Sequence, residues 1–137
     1  LMAERALVNI LLIEDEPLDA KIIIRSLTEF DNSISIKHIH SLAEAENMDW
    51  SINQNQFSCI VLDYNFPTGV SSNFLHFQKS IFKNKCPIFI VTGNESLILK
   101  NNVEKYENVY FFNKSEETYK VLPSFILSTL DEFQFNN

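Results

Sequence analysis

The sequence predicts a doubly wound α/β domain, with five parallel strands in one sheet and helices on both of its faces. Short apolar runs alternate with stretches whose apolar residues recur at helical spacing, and the alternation repeats five times along 137 residues. The third and fourth runs are apolar throughout rather than at every second position, as strands buried on both faces require. Four of the runs end at or within two residues of acids, a hydroxyl or a lysine, and a doubly wound sheet gathers its chemistry beyond the carboxyl ends of its strands. Such a five-stranded sheet commonly takes the order 2-1-3-4-5 with right-handed crossovers, a three-layer sandwich in which strands 1 and 3 are neighbours at the switch point.

Val8 to Ile13 reads as the first strand. Ala20, Ile23, Ile24, Leu27 and Phe30 then fall on one helical face, and Pro17 suits that helix's first turn, where its missing N–H is not needed. Ile34, Ile36 and His38 alternate as a second strand. Ser41, with Glu44 three residues on, forms a capping-box pattern at the start of the second helix. Cys59 to Leu62 is the third strand, Asn73 to Phe82 the third helix, Pro87 to Val91 the fourth strand, and Ser96 to Val103 a short helix. Val109 to Phe112 is the fifth strand. Leu122, Phe125, Ile126, Leu130 and Phe133 mark the last helix, which the spacing starts near Lys120 so that Pro123 falls in its first turn. Residues 1–7 read as an N-terminal extension or tag remnant, 8–133 as one domain and 134–137 as a tail.

Composition narrows the function. The net charge is −7, with 11 Lys and Arg against 18 acids, which excludes the basic surface that direct nucleic-acid binding needs. The apolar runs are too short to span a membrane, and no signal peptide is visible. Cys59 and Cys86 lack metal-ligand or redox spacing and read as buried thiols, in keeping with a cytoplasmic protein. The 12 phenylalanines, Trp50 and the tyrosines read as packing residues, and His38, His40 and His76 as surface or packing histidines.

The strand ends carry the chemistry. Glu14, Asp15 and Glu16 follow strand 1, Asp63 follows strand 3, Thr92 follows strand 4, and Lys114 follows strand 5 after Asn113. Carboxylates held close together stay ionised only where a cation or a lysine compensates them. Carboxylate and carbonyl oxygens with water suit Mg²⁺ (or Mn²⁺), so Asp15 and Asp63, with Glu14 near, make a credible metal site. A carboxylate can also attack phosphorus to give an acyl phosphate, a transfer governed by positioning and charge neutralisation. The Lys114 ammonium and the Thr92 hydroxyl are the groups to hold the phosphoryl oxygens.

These residues resemble those of response-regulator receiver domains, which have a flavodoxin-like fold. ILLIEDEP resembles the first strand and acidic pair, VLDYNFP the phosphoacceptor strand, IVTG the strand with the switch hydroxyl, and FFNK the fifth strand with its lysine. The resemblance spans about residues 8 to 133. It implies that Asp63 is phosphorylated, that Asp15, Asp63 and the backbone carbonyl of Asn65 ligate Mg²⁺ with Glu14 completing the acidic pair, and that Thr92 and Lys114 hold the phosphoryl group. It implies a switch at Thr92 and Phe111. It further implies a phosphoacceptor signalling domain of bacterial two-component systems rather than an ordinary enzyme, able to catalyse its own phosphorylation and dephosphorylation. The donor would be a histidine kinase or a histidine phosphotransfer protein. The reader would be a downstream protein or output domain, or a second copy in a homodimer, meeting the face formed by strand 5 and its flanking helices.

The sequence departs from the family pattern at four places. Ser115 stands where proline often follows the lysine, Asn113 where an apolar residue is usual, Ser71 where glycine is common, and the stretch from Tyr106 to Val109 lacks small residues. A pseudo-receiver, docking partners without phosphorylation, is the rival reading, and the intact set of Glu14, Asp15, Asp63, Thr92 and Lys114 argues against it. A Toprim-type nuclease would want two aspartates flanking one residue where Asp63-Tyr64-Asn65 stands. A haloacid-dehalogenase phosphatase would want a nucleophile loop, and a flavodoxin a glycine-rich phosphate loop, where Glu14-Asp15-Glu16 stands.

Overall fold

The computed structural model of the chain describes residues 7–49, 57–63, 86–93 and 108–136, with side chains up to residue 133. The helices expected at Asn73–Phe82 and Ser96–Val103, and the positions Trp50, Asn65, Gly69, Ser71, His76 and Tyr106, lie outside these residues, as do residues 1–6 and 137. The strands are β1 (Val8–Glu14), β2 (Ile34–Ile39), β3 (Cys59–Asp63), β4 (Ile88–Thr92) and β5 (Val109–Asn113). The described helices are α1 (Pro17–Phe30), α2 (Leu42–Glu46) and α3 (Glu116–Asn136). The five strands form one sheet in the order β2-β1-β3-β4-β5, with every neighbouring pair parallel. This is the predicted doubly wound architecture.

The central strands are buried on both faces, and their side chains alternate between two apolar layers. Leu11, Ile13, Ile60, Leu62, Ile88 and Ile90 join Leu42 and Ala45 of α2 on one side. Ile10, Leu12, Val61, Phe89 and Val91 join Ala20, Ile23 and Leu27 of α1 and Leu122, Ile126 and Leu130 of α3 on the other. Each fully buried branched or aromatic side chain contributes about 1.5–3 kcal/mol, which is why β3 and β4 carry no polar residue before their last position. On the edge strand β2 the pattern loosens, and Ser35 and Lys37 face solvent.

Local signals start the helices. Glu16 caps α1 by accepting from the Leu18 amide, with Pro17 in the first turn. Ser41 caps α2 by accepting from the Glu44 amide at 3.1 Å, while the Glu44 carboxylate reaches back to the His40 amide at 2.9 Å. The expected apolar face of α1 is narrower than its spacing suggests. Ala20, Ile23 and Leu27 are buried, but Phe30 is 52% exposed at the last position, where the chain turns through Asp31 to Ser33 into β2.

The last helix corrects the expectation most. It starts at Glu116, not near Lys120, and Pro123 lies inside it. Ser115 supplies the start: its hydroxyl accepts from the Thr118 amide at 3.2 Å and its carbonyl from the Tyr119 amide at 3.2 Å. Glu116 and Glu117 in the first turn complement the helix dipole. An interior proline leaves the carbonyl four residues earlier without its helical donor. Here that carbonyl belongs to Tyr119, and the Ser26 hydroxyl of α1 donates to it instead. One hydrogen bond thus compensates the proline and ties α3 to α1.

Candidate functional site

Register builds the site. Glu14 and Asp63 are paired across β1 and β3, Asp63 is opposite Val91 of β4, and Thr92 is opposite Asn113 of β5. The carboxyl ends of four strands therefore lie side by side. The Lys114 amide donates to the Thr92 carbonyl at 2.9 Å, which carries the lysine just past the end of β5 toward the acids.

The two strand-borne carboxylates are almost wholly out of water: Glu14 is 1% and Asp63 2% exposed. Lys114 compensates them. Its ammonium lies 3.0 Å from Asp63 Oδ1 and 2.7 Å from Asp19 Oδ2. The Tyr119 hydroxyl donates to the other Asp63 oxygen, Oδ2, at 3.3 Å. Glu14 Oε1 accepts from the Glu16 amide at 2.7 Å, whereas the buried Glu14 Oε2 has no hydrogen-bond partner among the described residues.

Protonation follows from this crowding. Burial and then the adjacent Asp63 push the Glu14 carboxyl from the ordinary 4.5 up to about 8, against the pull of the Glu16 amide and Lys114. Burial draws Lys114 down, but its hydrogen bonds to Asp19 and Asp63 and the charges of Asp63 and Glu14 outweigh it and hold the ammonium above the usual lysine range. Burial and the Asp63 charge likewise raise the Tyr119 phenol, so it stays a donor. Burial alone raises Cys59, and burial with the neighbouring Cys59 raises Cys86, leaving both as inert thiols.

Not every residue singled out in the sequence joins this group. Glu14, Asp63 and Lys114 come together. Asp15 is exposed at the start of the loop after β1, outside the converging acids. Thr92 is completely buried at the end of β4. Phe111 is half-buried against the layer formed by Ile88, Ile90 and Val109. His38 has a structural part, its ring donating to the Glu14 carbonyl at 2.8 Å.

Two participants were not singled out. The sequence gives Asp19 no role, yet its carboxylate and those of Glu14 and Asp63 offer oxygens all within 4.8 Å of one another. Its signal was its place: two residues into a helix that starts at the strand ends. Tyr119 shares a helical stripe with Leu122 and Ile126, so its spacing indicated packing alone.

The arrangement fits a hard divalent cation. Three carboxylates face one ammonium, their oxygens converge, and a buried carboxylate oxygen lacks a donor among the described residues. Mg²⁺ or Mn²⁺ takes such oxygen ligands and would supply the missing partner. The unusual loop after Lys114 is also accounted for. Thr118 donates through its hydroxyl to Asn113 Oδ1 at 2.9 Å and receives the Ser115 hydroxyl at 3.2 Å, so Asn113 and Ser115 close a small polar network over the helix start. Before β5, Asn108 takes the left-handed conformation with φ 57°, doing the work of a small residue there.

The chain matches no protein-family model and no curated protein sequence. Its likeness is to solved structures. A response regulator receiver domain protein from Clostridium thermocellum is 21% identical at a TM-score of 0.71, over 96% of this chain and 100% of that one. A response regulator receiver protein from Sinorhizobium medicae is 20% identical at 0.70, over 93% and 97%. The phosphorylated cyanobacterial phytochrome response regulator RcpA is 22% identical at 0.68, over 90% and 96%. With its strand order and its near-complete overlap with these structures, the chain has the fold of response-regulator receiver domains.

Proposed function

We propose that this chain is a phosphoacceptor receiver of a two-component system, taking a phosphoryl group on Asp63 from a phosphohistidine on a histidine kinase or a histidine phosphotransfer protein. The observation that carries the reading is Asp63 itself: a buried carboxylate at the end of β3, with Lys114 3.0 Å from one oxygen and two further acids converging on it. One of the solved structures of like fold is that of a phosphorylated response regulator. An Asp63 oxygen attacks the phosphorus in line, an O–P bond forms, and the P–N bond to the donor imidazole breaks. Lys114 holds one phosphoryl oxygen and the Thr92 hydroxyl another, leaving the charge of the product matched. Asp63 with Glu14 beside it, joined by Asp15 from the exposed loop after β1 and by the Asn65 carbonyl, would hold Mg²⁺, which would supply the further positive charge that phosphoryl transfer needs. Drawing Thr92 toward the phosphoryl group frees room at the end of β4, and Phe111 on the adjacent strand shifts with it. The face around β5 is thereby re-presented to a downstream protein or output domain.

The test is Mg²⁺-dependent mass gain with acetyl phosphate. One phosphoryl group adds about 80 Da, and the gain is expected in the wild-type chain and absent in Asp63→Asn. A folded, Mg²⁺-binding wild type that gains no mass would overturn the proposal in favour of phosphorylation-independent docking.

A further inference from the structure

We propose that Tyr119 is a positioning residue that restrains Asp63, holding the carboxylate through Oδ2 and setting how fast it accepts a phosphoryl group. The inference rests on the phosphoacceptor reading of Asp63.

Asp63 is engaged at both oxygens, by Lys114 at Oδ1 and by the Tyr119 hydroxyl at Oδ2. The two partners differ in freedom. Lys114 has three N–H donors and a second anchor in Asp19, so it can pass to a phosphoryl oxygen without losing its place. Tyr119 has a single proton to donate, and its ring is fixed from three directions. The hydroxyl meets Asp63, the ring packs against the layer shared by α1 and α3, and the backbone carbonyl takes the Ser26 hydroxyl because Pro123 provides no amide. The phenol therefore cannot follow the carboxylate far when phosphorus approaches.

A hydrogen-bonded carboxylate is a weaker nucleophile and is held in one orientation. For an O–P bond to form at Oδ2, the phenol must give that oxygen up. For attack through Oδ1, the carboxylate must turn while Oδ2 is still held. Either route breaks or strains the same bond, and it is worth something only before phosphorylation. The restraint therefore acts on rate rather than on the binding of donor. At 3.3 Å the bond is a long one, which makes Tyr119 a brake and not a block.

Tyr119→Phe removes the hydroxyl and keeps the ring. With acetyl phosphate, the Asp63 O–P bond forms, the donor's P–O bond breaks and acetate leaves, so the mass gain can be timed. The maximal uptake rate is expected to rise about 3- to 10-fold, the effect of losing one ordinary hydrogen bond. The half-saturating donor concentration should stay unchanged, which a purely structural role would not predict. A readout independent of phosphorylation is a double-mutant cycle of Tyr119→Phe with Asp63→Ala, measured by urea unfolding without metal. It should give a coupling of about fivefold in the folding equilibrium constant. A wild type that takes up phosphate and a Tyr119→Phe variant that does so no faster would overturn this inference alone. No mass gain in either protein would overturn the phosphoacceptor reading with it.

Discussion

Replacing Glu14 by Gln should make the metal-free protein more stable at neutral pH while weakening its hold on Mg²⁺. The folded state raises the Glu14 carboxyl to about 8, against 4.5 for an ordinary glutamate. Because the folded value is the higher one, the carboxyl costs nothing below about pH 4.5, where both states carry the proton. The penalty grows as pH rises toward 8, where the folded state finally releases it. At pH 7 the gap from 4.5 is 2.5 units, and at 1.36 kcal/mol per unit the penalty is at most about 3 kcal/mol. Glutamine has nearly the same shape, carries no charge at any pH, and can turn its amide toward Asp63 where Glu14 Oε2 now has no partner among the described residues. The full gain would raise the melting temperature by roughly 10 °C in a domain of this size. Urea unfolding in a chelator across pH 5 to 8 tests this: the variant's advantage should be small at the acid end and grow steadily. Mg²⁺ should reverse the order, since the neutral glutamine amide offers a cation a weaker oxygen ligand than the carboxylate does. A variant less stable than wild type at pH 7 without metal, or an advantage independent of pH, would refute the reasoning.

Three further outcomes follow from the same geometry. Lys114→Met leaves Asp63 and Asp19 without their ammonium, and should cost about 2–4 kcal/mol without metal in chemical denaturation, with a larger recovery on adding Mg²⁺ than wild type shows. Ser26→Ala strands the Tyr119 carbonyl and should cost about 1–2 kcal/mol; with Pro123→Ala the returning helix amide should remove most of that cost, so the two changes should be non-additive in the same assay. Ser115→Ala removes the cap of α3 and should lower stability by about 1 kcal/mol, with faster amide exchange at Thr118 than in wild type.

The fold was legible because burial on both faces leaves a plain mark. Cys59 to Leu62 and Ile88 to Val91 have no polar residue, and a run of that kind between helical patterns admits few architectures. The start of α3 was less legible. Pro123 suggested a beginning near Lys120 because a proline ordinarily sits in a first turn, and its actual tolerance depends on Ser26, nearly a hundred residues away in the chain. Phe30 was misjudged for a related reason: periodicity gives the face of a helix, but not where along its length the packing partner ends.

The candidate site divides in the same way. Sequence by itself determined which chemical groups stand at the strand ends, since a parallel sheet delivers the residue after each strand to one edge whatever the rest of the chain does. Tertiary structure decided which of those groups meet. The pairing of Glu14 with Asp63 follows from the β1–β3 register, and it buries Glu14 while Asp15 turns to solvent. Asp19 and Tyr119 enter from the first turns of α1 and α3, where the rotation of each helix against the sheet chooses the side chain that points inward. That rotation is set by packing summed over Ala20, Ile23, Leu122 and Ile126, a property of the assembled core that no local run of residues carries.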